Sequence, residues 1–235
     1  MVVAKRDWKF EGFPEGLLTF LDQLASNNQR AWFSENKARY QDLVSNPALD
    51  FIAAMAEPLA AISRHFEAIP RRSGGSLMRV YRDTRFSADK TPYKTNVGIQ
   101  FRHVRAKDIH APGFYLHIEA AEVFVGVGSW RPDREALARI RQRIVDKPKY
   151  WQAVERNKAF AGEFSFTGDR LQRPPRGFDP AHPLIETLKR KDFIAVKHFP
   201  VRDIESPDFL ASVSAGFRRG LPLMRFLCDA LELEI

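Results

Sequence analysis

The stretch that decides the fold is LMRVYRDTRFSADKTPYKTNVGIQF, residues 77–101. Both of its ends are strand-like, and the second, over residues 97–101, alternates apolar and polar residues with the period of a β-strand that buries one face. The residues between the ends are rich in Lys and Arg, and the connection over residues 84–96 is longer than the usual hairpin loop of about two to five residues. We therefore predict two strands joined by a long, cation-rich connection.

The same alternation continues beyond this stretch. Apolar residues occupy every second position in 97–103, in 114–119 and in 123–127. Together with a strand over 77–83, these runs predict four short consecutive strands, and such strands with short connections form an antiparallel meander. A further strand is predicted over 192–199. The sheet should therefore contain about four to five strands and bury one face against helices.

Helical spacing of apolar residues dominates the chain before the predicted sheet. We predict a helical layer over residues 14–66, which includes one helix over 30–44 and another over 48–66. Pro58 lies inside the second of these helices, and an interior proline removes a helix hydrogen bond and clashes with the preceding turn. A kink or a break is therefore expected at Pro58.

The pattern after the predicted sheet returns to helices and loops, over residues 132–235. With a sheet core over 77–127, this arrangement predicts a single domain over residues 1–235. The fold class is α+β, with the sheet packed against the N-terminal helical layer and the C-terminal helices.

The composition excludes several classes of protein. Hydrophobic residues make up 44% and charged residues 28% of the 235 residues, as in ordinary globular chains. The single cysteine, Cys228, allows no intrachain disulfide and no cysteine-based zinc cluster, and its apolar neighbours predict a core position. The first residues contain no apolar segment of the kind found in signal peptides, and no run suits a membrane span. We predict a cytoplasmic protein without a membrane partner.

The positive charge is concentrated in one segment. The formal net charge is +8, and residues 71–107 contain ten Lys and Arg but only two acids, Asp83 and Asp89. Such a local excess favours an acidic partner, which could be a phosphorylated or other anionic small molecule or a nucleic acid. It is equally typical of a solvated basic face, and charge alone does not separate the two interpretations.

The cation-rich connection is the first candidate site. Arginine binds phosphate or carboxylate through two parallel hydrogen bonds, and lysine acts as a point charge. The alternative is an internal set of salt bridges in which Asp83 and Asp89 hold the connection together. A neighbouring arginine should lower the pKa of Asp83, which argues against that residue as a general base. The candidate anion-binding residues are Arg79, Arg82, Arg85, Lys90 and Lys94, with Asp83 and Tyr93 in support.

A second candidate follows the predicted strand over 123–127. Gly126, Gly128, Trp130 and Arg131 lie between this strand and a predicted helix. A helix N-terminus favours anions, so Arg131 could add to the same site, with Gly126, Gly128 and Trp130 in support. The pattern is weak as a dinucleotide-binding motif because the third glycine is replaced, and glycines required by a tight turn are the preferred interpretation.

Other chemistry is sparse in the sequence. His103, His110 and His117 could cluster with Glu119 and bind a metal ion. Because His103 and His117 alternate with apolar residues, we expect both to point away from the buried face. No nucleophile elbow, Walker loop or zincin motif occurs. We predict no metal site and no cofactor, and we assign no catalytic residue; whether the protein is an enzyme stays open.

Several of these segments together resemble a known family. The run Arg79–Lys94 is similar to the hallmark of an uncharacterised, mainly bacterial family of conserved hypothetical proteins, the domain-of-unknown-function 2461 family. The similarity extends from about Phe13 to Leu227 and implies a single intracellular domain, but no activity. The other segments that carry it are Asn27-Asn28, Trp32-Phe33, Lys37, Tyr40, Tyr115–Glu119, Gly126–Trp130, Pro175-Arg176-Gly177 and Lys191–Phe193.

Three functions are compatible with these observations. The first is a basic pocket that binds a phosphate-bearing or other anionic ligand, with Tyr93 and Trp130 available for stacking. The second is a nucleic-acid-binding module that also uses the surrounding cations on phosphates. The third is a structural or partner-binding protein whose cations form an internal salt-bridge network. The oligomeric state stays open. The additional cations of the second hypothesis are Arg71, Arg72, Arg102, Arg105 and Lys107.

Overall fold

The protein is described by a computed structural model over residues 10–105 and 111–235. Helices pack against an antiparallel sheet, which confirms the predicted α+β class. No helix in these two ranges is long and apolar enough to cross a membrane. The N-terminal helices are α1 (Gly16–Ser26), α2 (Arg30–Glu35), α3 (Lys37–Tyr40) and α4 (Asn46–Ile62).

The N-terminal layer differs from its prediction in two details. The helix expected over 30–44 is divided into α2 and α3, and a π-helical turn, Gln41–Ser45, joins α3 to α4. Pro58 does not end α4, which continues to Ile62. The helix tolerates the missing N–H because its inner face is fully buried in the core, at Phe51, Met55 and Leu59.

The sheet is larger than predicted. The described residues form a sheet with the strand order β1-β2-β3-β4-β6-β5, in which every neighbouring pair is antiparallel. The meander is confirmed from β2 to β4, and β6 then pairs with β4. The strands are β1 (Phe66–Glu67), β2 (Asn96–His103), β3 (Gly113–Glu119), β4 (Val123–Ser129), β5 (Ser165–Thr167) and β6 (Phe193–Phe199).

The strand predicted over 77–83 is wrong as a regular strand. Leu77 bridges Ile99 on β2, but after Met78 the chain leaves the sheet, and Tyr81 bridges Tyr93 instead. Two backbone hydrogen bonds, Arg82 N to Pro92 O at 2.9 Å and Lys94 N to Val80 O at 2.7 Å, close this second pairing. The start of the segment, at Leu77 and Met78, therefore pairs with β2. Residues 80–82 form a separate hairpin with residues 92–94.

The core lies on one face of the sheet. On β2 to β4, every second residue is fully buried, including Ile99, Leu116 and Val125. Helix α4 and two C-terminal helices cover this face, and Cys228 is buried there, as predicted. The alternate residues lie on the opposite face, which is the open face of the sheet. The helices after the meander are α5 (Arg134–Asp146), α6 (Pro148–Glu155), α7 (Lys158–Ala161), α8 (Ile185–Leu188), α9 (Phe209–Arg219) and α10 (Leu221–Ala230).

Candidate functional site

A cleft of about 540 Å³ lies on the open face of the sheet. Its floor is the backbone of β3 and β4 at Gly113, Gly126 and Gly128, where no side chain fills the space. Such a volume falls within the range of small-molecule sites, about 300–1,000 Å³. Apolar and aromatic side chains line the cleft at Met78, Phe124, Trp130, Ile194 and Val196.

One end of the cleft is polar. Tyr115 and His117 lie two residues apart on β3 and therefore share the open face. The Tyr115 hydroxyl is 3.1 Å from His117 Nδ1, and the ring of His117 stacks on Phe124 with centroids 4.6 Å apart. On the other side, His117 Nε2 is 3.4 Å from Glu119 Oε2. These contacts fix the orientation of the imidazole, and burial lowers the pKa of His117 despite the nearby carboxylates.

Lys94 is the cation of the cleft. Its half-buried side chain lines the cleft beside the Asn96 and Gln100 side chains. Burial lowers the pKa of Lys94, and the positive charge of Arg79 lowers it further. Among the residues that the structure describes, no carboxylate forms an ion pair with Lys94. The cleft therefore contains a positive charge that is partly removed from water without a described counter-charge.

The cation loop, residues 83–91, contains two of the other predicted anion-binding residues, Arg85 and Lys90. Arg82, at its base, bonds Asp89 and Thr91. Within the loop, Arg85 Nη2 is 2.7 Å from Asp83 Oδ2, and Lys90 Nζ donates to the Thr84 carbonyl at 2.9 Å. These contacts join the cations to the loop itself. Arg79 precedes the loop, is exposed, and acts on the pKa of Lys94 as described above.

The two acids of this segment are held ionised. The hydrogen bonds from Arg85 lower the pKa of Asp83 to about 2, as the sequence predicted. The hydrogen bond from Arg82, helped by Thr91, lowers the pKa of Asp89 to about 2. A carboxylate in this state is a poor proton acceptor near neutral pH, so neither residue suits general-base chemistry.

In the Gly-x-Gly segment, residues 126–128, both glycines line the cleft, and Gly128 is also required by the fold. Gly128 has φ of +125°, and a Cβ there would lie 2.1 Å from the Phe193 carbonyl oxygen, so the approach of β6 requires glycine. Arg131 also has positive φ, and its backbone N–H donates to the buried Asp192 carboxylate at 2.6 Å. Its guanidinium lies 4.7 Å from the Trp130 ring, which lines the cleft.

The structure describes two of the three histidines that could cluster, His103 and His117, and they lie on opposite faces of the sheet. His117 points away from the apolar face, as expected, but the same prediction for His103 is wrong. His103 follows Phe101 by two residues and therefore shares its buried face, where Nε2 is 2.8 Å from the Glu234 carbonyl oxygen. His110 lies outside the described residues. His117, Glu119 and Glu122 have side-chain ligand atoms within 4.8 Å of one another and could together hold a metal ion.

The comparison with family models identifies the chain's relatives. A family described as "Conserved hypothetical protein (DUF2461)" matches residues 16–226, which is most of the chain. The chain belongs to this family. No curated protein and no solved structure matches the chain. The DUF2461 membership confirms the resemblance seen in the sequence, and the family description names no activity.

Two sequence segments that resemble the DUF2461 family meet in the structure. Asn28, before α2, donates through Nδ2 to the Tyr93 carbonyl at 2.9 Å and accepts the Tyr93 N–H through Oδ1 at 3.0 Å. Phe33 stacks on the buried Tyr93 ring, with centroids 4.0 Å apart. Asn28 and Phe33 therefore dock the base of the cation loop on the helical layer and position the adjacent Lys94 at the cleft.

Part of the cleft of this DUF2461 protein was not predicted from the sequence. Tyr115 and Gln100 were not singled out, and Asn96 was assigned only to the end of the connection. The available signal was the alternation of β2 and β3, because residues between the buried positions of neighbouring strands face each other on one surface. The register pairs Gln100 with Tyr115 and Asn96 with Glu119.

Proposed function

We propose that the protein binds a small molecule with a flat apolar body and one anionic group, such as a phosphate, carboxylate or sulfonate, in the cleft on the open face of the sheet. The observation that carries this proposal is the half-buried Lys94 at a cleft with apolar walls and a glycine floor. Compared with the basic pocket predicted from the sequence, the proposed site uses one described cation, Lys94. It lies on the open face of the sheet and not at the cation loop.

The shape of the cleft supports a flat ligand body. Gly113 and Gly126 expose the peptide backbone of two adjacent strands, on which a ring can lie flat. Phe124 and Trp130 offer aromatic faces for stacking, which stabilises bound rings beyond the effect of buried area. The polar groups are few, as in most small-molecule sites, and they orient the ligand.

The electrostatics of the cleft support an anion. A lysine whose pKa is lowered by burial carries its charge in an unfavourable environment, and an anion bound beside it would stabilise the charged form. Arg79 adds positive potential from nearby. In contrast, the acids of the cation loop already engage Arg82 and Arg85. Lys94 is therefore the cation most available to a ligand in the cleft.

The test uses 8-anilinonaphthalene-1-sulfonate, a fluorescent probe with an apolar ring system and one anionic group. We expect saturable binding of one probe per native chain. The Lys94→Met variant should bind at least about tenfold more weakly, which corresponds to about 1.4 kcal/mol. Lys90→Met makes the same change in the cation loop and should leave the affinity unchanged. Equal affinity in the wild type and the Lys94→Met variant would contradict the proposal. Aryl phosphates and aryl carboxylates would then be ranked by their displacement of the probe.

A second candidate function is the binding of single-stranded nucleic acid along the cation loop. The observation that favours it is the exposure of two aromatic side chains next to cations: Phe86 is 95% exposed beside Arg85, and Tyr81 is 58% exposed. Bases stack on such side chains, and binding of this kind weakens steeply with salt. Lys107, which the sequence assigned to the same function, lies outside the described residues.

Oligonucleotide binding separates the second candidate from the first. A fluorescent single-stranded oligonucleotide should bind at low salt, lose affinity as salt increases, and lose it in the Phe86→Ala variant if this function is correct. Affinity that is unchanged in Phe86→Ala would exclude the loop as a stacking surface. The Lys94→Met variant should have little effect in this assay, whereas it dominates the dye assay.

Two further expectations belong to this proposal. We propose one folding unit over residues 1–235, because the buried residues form one hydrophobic cluster that includes α1 and α10. A single cooperative transition in denaturant, seen equally by fluorescence and circular dichroism, would test it. We also propose a cytoplasmic location, which the buried, unpaired Cys228 suits. Cell fractionation tests the location.

A further inference from the structure

We infer that His117, Glu119 and Glu122 form a binding site for one divalent transition-metal ion at the polar end of the cleft. The three residues belong to the β3–β4 hairpin. His117 Nε2 lies 3.4 Å from Glu119 Oε2 and 4.0 Å from Glu122 Oε1, and the ligand atoms all lie within 4.8 Å of one another. This inference goes beyond the proposed anion binding and departs from the prediction of no metal site.

The spacing suits ligands of one ion. Metal bonds from imidazole nitrogen and carboxylate oxygen are about 2.0–2.2 Å long, so two ligand atoms on the same ion lie roughly 3–4.4 Å apart. The two distances from His117 Nε2 fall in this range. Glu119 and Glu122 side chains are 36% and 47% exposed, so small rotations could bring both oxygens to the ion without moving the backbone.

The hairpin holds the two carboxylates close together. Glu119 and Glu122 flank the connection Ala120-Ala121, and Glu119 N donates to Glu122 O at 2.9 Å. Within residues 10–105 and 111–235, no Lys or Arg forms an ion pair with either carboxylate. Two like charges so placed repel each other, and a divalent cation between them would remove this repulsion.

The surroundings of the three residues resemble the outer shell of a metal site. The Tyr115 hydroxyl, 3.1 Å from His117 Nδ1, can accept a hydrogen bond from the Nδ1–H group, and the lone pair of Nε2 is then available to bind the ion. Thr95 Oγ1 donates to Glu119 Oε1 at 2.9 Å, which leaves Oε2 directed towards His117. Hydrogen bonds of this kind orient metal ligands.

The donor set indicates the class of metal. One imidazole nitrogen and two carboxylate oxygens suit Mn²⁺, Fe²⁺, Co²⁺ or Zn²⁺, whereas Ca²⁺ and Mg²⁺ prefer oxygen ligands alone. Three protein ligands leave at least one coordination position for water or for a group of a ligand in the cleft. An ion here would neutralise the two carboxylates at this end of the cleft that contains Lys94.

Cobalt binding tests the site without any organic ligand, so its result does not depend on the dye assay. The chain, free of histidine tags and treated with a chelator, is titrated with Co²⁺. Visible absorption, together with metal analysis after gel filtration, should show one Co²⁺ per chain. We expect His117→Ala to lose this stoichiometry and Glu122→Gln to bind Co²⁺ at least about tenfold more weakly. Thr95→Val should bind Co²⁺ about tenfold more weakly, because it removes the hydrogen bond that orients Glu119.

The matched control is His198→Ala, which removes an exposed histidine from the same row of the sheet, where His198 pairs with Phe124. This variant should bind Co²⁺ like the wild type. Glu122→Gln keeps the side-chain shape and lies on an exposed turn, so it reports on binding even if His117→Ala fails to fold. Absence of Co²⁺ binding by the wild type, or unchanged binding by both His117→Ala and Glu122→Gln, would overturn the inference.

Discussion

The cation loop and the cleft differ in whether their charged side chains are paired with opposite charges. The loop has the higher density of cations, but Arg82 and Arg85 bond acids a few residues away and the pairs are exposed. Lys94 and His117 line the cleft, and the ion pairs described for the neighbouring carboxylates of Glu119 and Glu122 involve only His117. The contrast teaches that the number of charges in a segment is a poorer guide to a site than their burial and their partners.

The difference follows from the backbone. In the loop, turns bring Asp83 and Asp89 within two residues of their hydrogen-bond donors Arg85 and Thr91. In the sheet, charged side chains stand apart because neighbouring positions alternate between faces. Charges on the open face therefore find partners two residues along the same strand, as His117 and Glu119 do, or across strands, and the glycines of β3 and β4 leave space beside them for a ligand.

Filling the floor of the cleft should have the largest effect. A Cβ at Gly126 would meet Tyr115 atoms at 3.7 Å, which is an ordinary contact, so the strand can accept a side chain there. Gly126→Leu should place its side chain in the cleft and weaken dye binding at least about 100-fold, or about 2.7 kcal/mol. Fluorescence titration measures the change, and circular dichroism checks the fold. Gly126→Ala is the control and should lose much less affinity. Normal binding by Gly126→Leu would place the ligand elsewhere.

Breaking the contact between the helical layer and the loop base should destabilise the fold. Asn28→Ala removes both hydrogen bonds to the Tyr93 backbone and leaves a part-buried N–H and carbonyl without this partner. The free energy of unfolding should fall by about 1–3 kcal/mol, measured by denaturant titration. Asn27→Ala is the matched control, because its exposed side chain bonds only the neighbouring turn at Gln23. Equal stability of the two variants would show that Asn28 does not anchor Tyr93.

The elements that the sequence predicts well are the regular ones. β2, β3, β4 and β6 were predicted because apolar residues at every second position are required wherever one face of a strand is buried. β1 and β5 were missed because two and three residues are too few to show a period. Residues 77–83 were predicted as one strand but divide their backbone pairing between β2 and residues 92–94, because a strand-like sequence does not specify the partner backbone.

The candidate site could be predicted only in part from the sequence, for the same reason. Lys94 and Trp130 were predicted as site residues from charge and aromatic character, and both line the cleft. Tyr115 was not predicted as a site residue, although it lies two residues from His117 on β3 and shares its face. Glu122 was not predicted because its proximity to His117 depends on the connection Ala120-Ala121. Gln100 was not predicted because its position beside Tyr115 depends on the register of β2 with β3. Strand register is a cross-strand property that one sequence does not specify without the packed core.

The stability of Lys94 variants should depend on pH. Burial lowers the pKa of Lys94, so the unfolded chain retains the proton to higher pH than the native chain. Between the two pKa values, the contribution of Lys94 to the free energy of unfolding therefore rises with pH. Lys94→Met removes this contribution, so it should be at least as stable as the wild type at pH 7 and lose its relative advantage as the pH approaches 10.5. Denaturant titrations at several pH values measure the difference. A relative advantage that grows with pH would contradict the lowered pKa.

The smallest effect is expected in the cation loop. Arg85 and Asp83 form a hydrogen-bonded pair, but both side chains are largely exposed, at 77% and 56%, and exposed pairs add little to stability. Arg85→Ala should therefore leave the melting temperature and the affinity for the dye unchanged within error. Its effect on Asp83 is local, because losing the Arg85 hydrogen bonds should raise the pKa of Asp83 from about 2 towards its usual value. NMR titration of the Asp83 carboxyl measures this change, with Asp89 as the internal reference because its pKa depends on Arg82. If Arg85→Ala instead weakened dye binding as much as Lys94→Met, the loop would close over the cleft as part of one site. The paired charges of the loop and the charge of Lys94 would then belong to one site and not to two separate regions.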